Sequence, residues 1–205
     1  MDAEGLRERK KRETRIALSW ATIRLVVERG LDNVRIEDIA AEAGVSTRTF
    51  SNYFATKGEA IVARHFERAR AIAEQLRHRP ADEPIWTAVT EAALAGFALG
   101  EGDVEDVAPD EQWLSGVRLM VSEPALQSEF AKAGAAAEAE FAAVIAERTG
   151  TDATNDLYPR LVAATVGAAL TVTVQQWLGT EPPASMGALL RDVFGQLAAG
   201  LPAPH

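Results

Sequence analysis

Residues 39–54 read IAAEAGVSTRTFSNYF, and the reading of this stretch decides the fold. Its apolar residues fall at helical spacing on both sides of Gly44-Val45-Ser46, so two short helices meet at a three-residue break. Helices of two turns are marginal in isolation and persist only through tertiary packing. Gly44 accepts the left-handed conformation that ends the first helix, Ser46 is a preferred N-cap for the second, and Val45 is an apolar plug for the corner. The spacing therefore predicts a helix-turn-helix over about 35–54. On its second helix Val45, Thr49, Phe50, Tyr53 and Phe54 share a side that packs. Thr47, Arg48, Ser51 and Asn52 share the side left free.

Outward from this motif, the punctuation divides the chain into helices. A first helix from about Leu6 to Arg29 places Ile16, Trp20, Ile23 and Val27 on one stripe and stops at Gly30, with Trp20 expected in the core. A long helix runs from about Lys57 to Arg79 and ends before Pro80. Pro84 opens a helix reaching Gly100, and the acidic run EGDVEDVAPDE (101–111) reads as a loop before a helix from about Pro109 to Val121. Pro124 opens an Ala-rich helix to Thr149, Asn155 or Asp156 is placed to cap an apolar helix to Gly179, and a last helix covers Met186 to Ala199. No useful stretch alternates with period two, so the expected fold is all-α with about nine helices.

Composition narrows the class. A chain of 205 residues with 47% hydrophobic residues can bury a full core. Without cysteine it has neither a disulfide framework nor a thiolate site. No apolar run follows the basic residues of MDAEGLRERKKRETR, as an export signal would require. The most apolar stretch, LVAATVGAALTVTV (161–174), is shorter than the roughly 20 residues of a membrane span. The expectation is a cytoplasmic protein with no membrane segment. The net charge of -9 conceals an asymmetry: residues 1–79 carry 16 basic and 12 acidic side chains, whereas residues 80–205 carry 5 and 18. A basic head on an acidic body suggests a charged partner on one side.

The free side of the second helix suits the reading of DNA. Arg can donate two bonds to guanine, Asn can pair with adenine, and Thr or Ser can bond many base edges. A recognition helix also presents its N-terminal residues to the bases, where Thr47 and Arg48 stand. Ahead of it, the basic cluster of Arg9, Lys10, Lys11 and Arg12 is either a solvated helix start or an arm that binds phosphates or enters a minor groove.

Ile39, Ala40, Ala43, Gly44, Val45, Ser46, Thr49, Phe50, Tyr53, Phe54 and Lys57, with Gly30 ahead of them, closely resemble the N-terminal motif of the tetracycline-repressor (TetR) family of bacterial regulators. The likeness is strong over about Thr14 to Ala60 and extends beyond as a helical outline. It implies a DNA-binding head, residues 1–56, and a ligand-binding, dimerising body, residues 57–205, with 57–79 as the connecting helix. By position, it implies that Thr47, Arg48, Ser51 and Asn52 face bases and that Tyr53 and Lys57 hold phosphates. The sequence departs from the family at Ser51, usually aromatic, and at Arg35, usually a phosphate-binding Thr that starts the second helix. Arg35 can still bond phosphate, and more strongly.

Catalysis finds no support. His65, His78 and His205 are too scattered for a metal pair, no phosphate-cradling loop or nucleophile elbow occurs, and the 101–111 carboxylates lack the spacing of a calcium loop. No enzyme activity, metal or cofactor is expected.

In the body, Phe66, Ala69, Trp86, Phe97, Trp113, Val117, Met120 and Trp177 are candidate pocket-lining residues, though aromatics also fill ordinary cores. The few cations there favour an apolar or amphipathic effector, and the body's outline looks like family members that respond to fatty-acyl thioesters. The helix ending at Gly179 is apolar nearly all round and must bury two faces. Leu161, Ala164 and Ala168 on it, with Leu190, Val193, Phe194 and Leu197 on the last helix, are the expected homodimer interface. The resulting expectation is a ligand-responsive repressor released from a palindromic operator in double-stranded DNA. A helical carrier or sensor whose basic head contacts a protein or an anionic surface is the alternative.

Overall fold

The computed structural model describes residues 3–98, 116–119, 122–179 and 185–203. All regular structure among them is helical: α1 (Ala3–Arg29), a 3-10 turn (Leu31–Asn33), α2 (Ile36–Glu42), α3 (Thr47–Tyr53), α4 (Lys57–His78), α5 (Ile85–Ala98), α6 (Pro124–Thr149), α7 (Leu157–Gly179) and α8 (Met186–Ala198). Residues 116–119 are helical too. The rest of the helix expected over Pro109–Val121 is not covered by the described residues, apart from Ser122 beyond its end. The described residues form two compact units, one within Met1–His65 and Asp110–Ala133, the other within Phe66–Pro109 and Gly134–His205. The units are discontinuous in sequence: α4 and α6 each pass from one into the other. A boundary drawn along the chain at residue 56 does not anticipate that exchange.

In the first unit, α1 buries Leu18, Ala21, Thr22, Leu25 and Val26, which recur at i, i+3, i+4, i+7 and i+8. This corrects the stripe expected from Ile16, Trp20, Ile23 and Val27. Ile23 is buried, but Val27 is 47% exposed because it lies one helical step beyond the packed face. Trp20 is half-buried, and the guanidinium of Arg64 sits 4.9 Å above its ring. Gly30, at φ +82°, ends α1 with its N–H on the Val26 carbonyl at 2.8 Å. Gly116 lies against Ile23, and Val117 beside it is 6% exposed.

In the second unit, α8 packs on α5 and α7. Ser185 caps α8 through the Ala188 N–H at 3.2 Å, and Met186, Gly187, Leu190 and Phe194 point into the core. Helix α7 buries Pro159, Val162, Ala163, Val166, Ala169, Thr173 and Trp177 along one face. Leu157, Tyr158, Leu161, Ala164, Ala168 and Val172 are exposed on it. By length and composition α7 could cross a membrane. Its inward stripe is instead consumed by the chain's own packing. At the end of α4, Arg77 pairs with Glu147 at 3.0 Å. Arg148 donates to the carbonyls of Arg79 at 3.1 Å, Glu83 at 2.8 Å and Pro80, so the chain after α4 is held to α6 by directional bonds.

Candidate nucleic-acid interface

The break at Gly44 is closed by backbone hydrogen bonds. Gly44 lies at φ +67°, its N–H bonds the Ala41 carbonyl at 3.1 Å, and the Val45 N–H reaches back to Ala40 at 2.9 Å. This paired closure satisfies carbonyls that the end of α2 would otherwise leave open. Ser46 then starts α3: its Oγ accepts the Thr49 N–H at 3.1 Å and lies 2.8 Å from the Thr49 hydroxyl. A helix is stopped and restarted within three residues.

The position of α3 is fixed from behind. Phe50 and Phe54 are 0% and 2% exposed, with ring centroids 5.8 Å apart. The Arg15 guanidinium lies 4.7 Å from the Phe54 ring and donates to the Tyr53 carbonyl at 3.4 Å. Ser19 of α1 donates to the Ala60 carbonyl of α4, and Arg24 pairs with Glu42 between α1 and α2. With its inner face held this way, α3 presents Thr47, Arg48, Ser51 and Asn52 together as exposed residues, while Thr49 and Tyr53 are half-buried at its edges.

At the start of α2, the Arg35 N–H bonds the Asp38 carboxylate at 2.9 Å, and the residue is exposed. Asp38 closes the helix end, so the Arg35 side chain is not needed as a cap. An open groove of about 480 Å³ lies here, lined by Asp32, Val34, Arg35, Ile36, Glu37, Thr56 and Lys57. Lys57 departs from the picture of a phosphate contact. Its ammonium is turned inward, donating to the Leu31 and Val34 carbonyls at 2.6 Å each. Thr56 and Glu59 close the first turn of α4: the Glu59 N–H bonds the Thr56 hydroxyl at 3.0 Å, and the Glu59 carboxylate accepts the Ala55 N–H at 2.7 Å. Farther out, Arg7, Lys10, Lys11 and Arg12 are exposed on α1, and the side chain of Arg9 lies outside the described residues.

The residues expected at a ligand pocket are assigned to different units. Trp113 and Met120 lie outside the described residues, and Val117 belongs to the first unit. Phe66, Ala69, Trp86, Phe97 and Trp177 fall in the second, with Ala69 and Trp177 buried and the others half-buried. Trp86 and Phe97 stand at opposite ends of α5, roughly 16 Å apart along its axis. Within the second unit the Arg68 guanidinium stacks 4.6 Å from the Phe97 ring.

The expected dimer interface is also divided. Leu161, Ala164 and Ala168 are exposed, and Val193 and Leu197 are half-buried. Leu190 and Phe194 are corrections: each is 0% exposed inside its own chain, so neither has a surface left for a partner.

Sequence reading missed the inward turn of Lys57 and the guanidinium stacks of Arg15, Arg64 and Arg68. Their signal was a charge on an otherwise apolar face. Arg15 stands three residues before buried Leu18 on α1, where only the aliphatic stem and a ring-stacked head fit.

Comparison with known proteins agrees with this architecture. Residues 20–63 match the family described as bacterial regulatory proteins, tetR family, and residues 83–202 match the MftR C-terminal domain. The HTH-type transcriptional regulator TcmR of Streptomyces glaucescens is 30% identical over 174 residues, covering 84% of this chain and 76% of that one. Two solved structures share the fold. FadR from Bacillus subtilis, in complex with stearoyl-CoA, is 17% identical with a TM-score of 0.58, covering 90% of this chain and 97% of its own. NalD from Pseudomonas aeruginosa, the secondary repressor of the MexAB-OprM multidrug efflux pump, is 15% identical with a TM-score of 0.56, covering 94% and 97%. Two matched family domains, a capped helix-turn-helix and a helical body place the chain in one group: it belongs to the TetR family of bacterial transcriptional regulators.

Proposed function

We propose that this DNA-binding, ligand-responsive regulator is a cytoplasmic repressor that acts as a homodimer on a palindromic operator. The observation that carries the reading is the exposed set Thr47, Arg48, Ser51 and Asn52 on a helix whose opposite face is buried. These side chains can bond base edges in a major groove. Arg35 and Tyr53 flank them as phosphate partners, and the exposed Arg7, Lys10, Lys11 and Arg12 extend the positive surface along α1. A two-fold dimer would put two copies of α3 about one turn of DNA apart, roughly 34–36 Å.

Support for the dimer comes from α7. Leu157, Leu161, Ala164, Ala168 and Val172 form an exposed apolar stripe at helical spacing, with small residues in the middle where two helices can approach closely. The effector is a small apolar or amphipathic molecule held in the second unit around Ala69, and an acyl thioester is the class we favour. The Bacillus subtilis FadR structure, in complex with stearoyl-CoA, makes that compound the probe to use.

Fluorescence anisotropy with the DNA upstream of the chain's own coding sequence tests the proposal. A regulator should bind it about 10³-fold or more tightly than random duplex at physiological salt, and stearoyl-CoA should weaken that binding. Equal affinity for both duplexes would remove the repressor reading and leave the carrier.

A further inference from the structure

Lys57 opens α4, where the helix dipole disfavours a cation. The residue is half-buried, and two of its three ammonium donors are already engaged by the Leu31 and Val34 carbonyls at 2.6 Å. Short bonds from a charged donor are the strong kind. These carbonyls bracket the 3-10 turn that joins α1 to α2. Val34 is 1% exposed, and the next residue, Arg35, is the N-cap of α2.

We propose that Lys57 is a positioning residue for base reading: its ammonium ties the first turn of α4 to the chain just ahead of α2 and so sets the angle at which α2 and α3 are presented. The inner side of α3 rests on Phe50 and Phe54, and its C-terminal end is held by the Arg15 donation to the Tyr53 carbonyl at 3.4 Å. The tie supplies direction at the opposite end of the motif. Base-edge bonds depend on that angle, whereas attraction to the phosphate chain is less demanding of it. Removing the tie therefore acts on discrimination between sequences and leaves general DNA attraction in place.

The proposal rests on the reading of α3 as the base-reading helix. Its test compares the parent, Lys57→Met and Lys57→Arg, each shown to fold and dimerise, on an operator duplex defined with the parent and on random duplex over a salt series. Lys57→Met should lose operator affinity by about tenfold or more, as expected when bonds to a charged donor are removed. It should keep both the random-duplex affinity and the salt slope of the parent. Lys57→Arg should not restore the operator affinity, because a planar fork does not reproduce two convergent ammonium bonds.

A phosphate contact gives a different pattern: equal loss on both duplexes, a salt slope smaller by about 0.9, and near-parental binding by Lys57→Arg. That pattern overturns the proposal. So does a Lys57→Met variant that melts at lower temperature yet discriminates as the parent does. If Lys57→Met does not fold, the unaltered protein still decides, since it has only four lysines to assign by ¹⁵N NMR. The Lys57 ammonium should be protected from exchange in the free protein and should keep its shift when operator is added. A signal that becomes protected only with DNA belongs to a phosphate contact and overturns the tie. A parent that fails to discriminate operator from random duplex defeats the reading of α3 itself, and that failure is visible before any Lys57 variant is made.

Discussion

Gly96 lies so close to Ile72 that a Cβ built on it would overlap the Ile72 Cγ1 and meet the Ile72 Cα at 3.2 Å. The obstacles are the root of the Ile72 side chain and its backbone, not the far end of a flexible side chain, so α5 and the second half of α4 keep this approach only with glycine. Gly96→Ala should gain up to about 1 kcal/mol of helix propensity and lose about 1–3 kcal/mol through overpacking. Net destabilisation is expected. Urea denaturation measures it, and a more stable variant would show that the two helices can separate freely.

A pH effect is expected at the end of α4. Arg79 grips Glu83 with two bonds, Nε to Oε2 at 2.8 Å and Nη2 to Oε1 at 2.5 Å. The hydrogen bond from Arg79 is the main cause that holds the Glu83 carboxyl below its ordinary 4.5, with attraction to Arg79 and Arg148 adding to it against desolvation. A carboxyl depressed in the folded state contributes stability that is complete above its unfolded value and is lost as pH falls through the lower folded value. Unfolding free energy should therefore decline as the pH drops below about 4.5, and Glu83→Gln should flatten part of that decline. Asp152 adds a similar contribution, its carboxyl lowered from 3.8 chiefly by the Asn155 side chain and then by the Thr154 and Asn155 N–H groups. Denaturation at a series of pH values checks both; a Glu83→Gln profile parallel to the parent's would rule out the Arg79 grip as a cause.

The proposed base reading by α3 separates two kinds of arginine. Arg48→Ala should weaken operator binding by about 1–3 kcal/mol and relax preference at one base per half-site. Arg35→Ala should weaken all duplexes alike and reduce the salt slope by about one unit. Binding to a set of single-base operator variants distinguishes them. Equal loss on operator and random DNA for Arg48→Ala would make Arg48 a phosphate contact.

The helix-turn-helix was legible because each device in it is local. Gly44 supplies a left-handed residue, Ser46 a cap and Phe50 a core anchor, all within seven positions. Helix existence was legible elsewhere from Gly and Pro. What stayed hidden depended on residues distant in sequence. The outward turn of Val27 is decided by which face of α1 meets α2, and the inward turn of Lys57 by carbonyls 23 and 26 residues away. Leu190 and Phe194 illustrate the same limit. Spacing marks them as an apolar stripe, but only the packing of α8 on α5 and α7 shows that the chain itself buries it.

That distinction yields opposite expectations for two sets of apolar residues. Ala164→Glu combined with Ala168→Glu alters exposed positions, so the fold should stay intact while carboxylates on an apolar two-fold contact drive the chain to monomer. Leu190→Ala should instead lose about 2–5 kcal/mol of stability, the range for a buried leucine truncated in a core, and still dimerise. Sedimentation and urea denaturation are needed on both. A dimeric double variant would move the interface away from α7.

The proposed effector response points to a test on α4. That element is one helix, Lys57–His78, whose first part belongs to the first unit and whose remainder belongs to the second. Ala69 lies on the second part and is 7% exposed, so a larger side chain there must displace its surroundings. Overpacking of that kind holds about 1–3 kcal/mol of strain, comparable with the roughly 1–3 kcal/mol by which effectors commonly couple to a second site. If the effector space adjoins Ala69, Ala69→Trp should fill it and mimic the bound state. Operator affinity of the folded, dimeric variant should then fall between about fivefold and 150-fold, and stearoyl-CoA should weaken it little further. Coupling is reciprocal, so operator DNA should also weaken stearoyl-CoA binding to the parent by the same factor that stearoyl-CoA weakens operator binding. An Ala69→Trp protein that binds operator as tightly as the parent and still responds fully to stearoyl-CoA would place the effector elsewhere in the second unit.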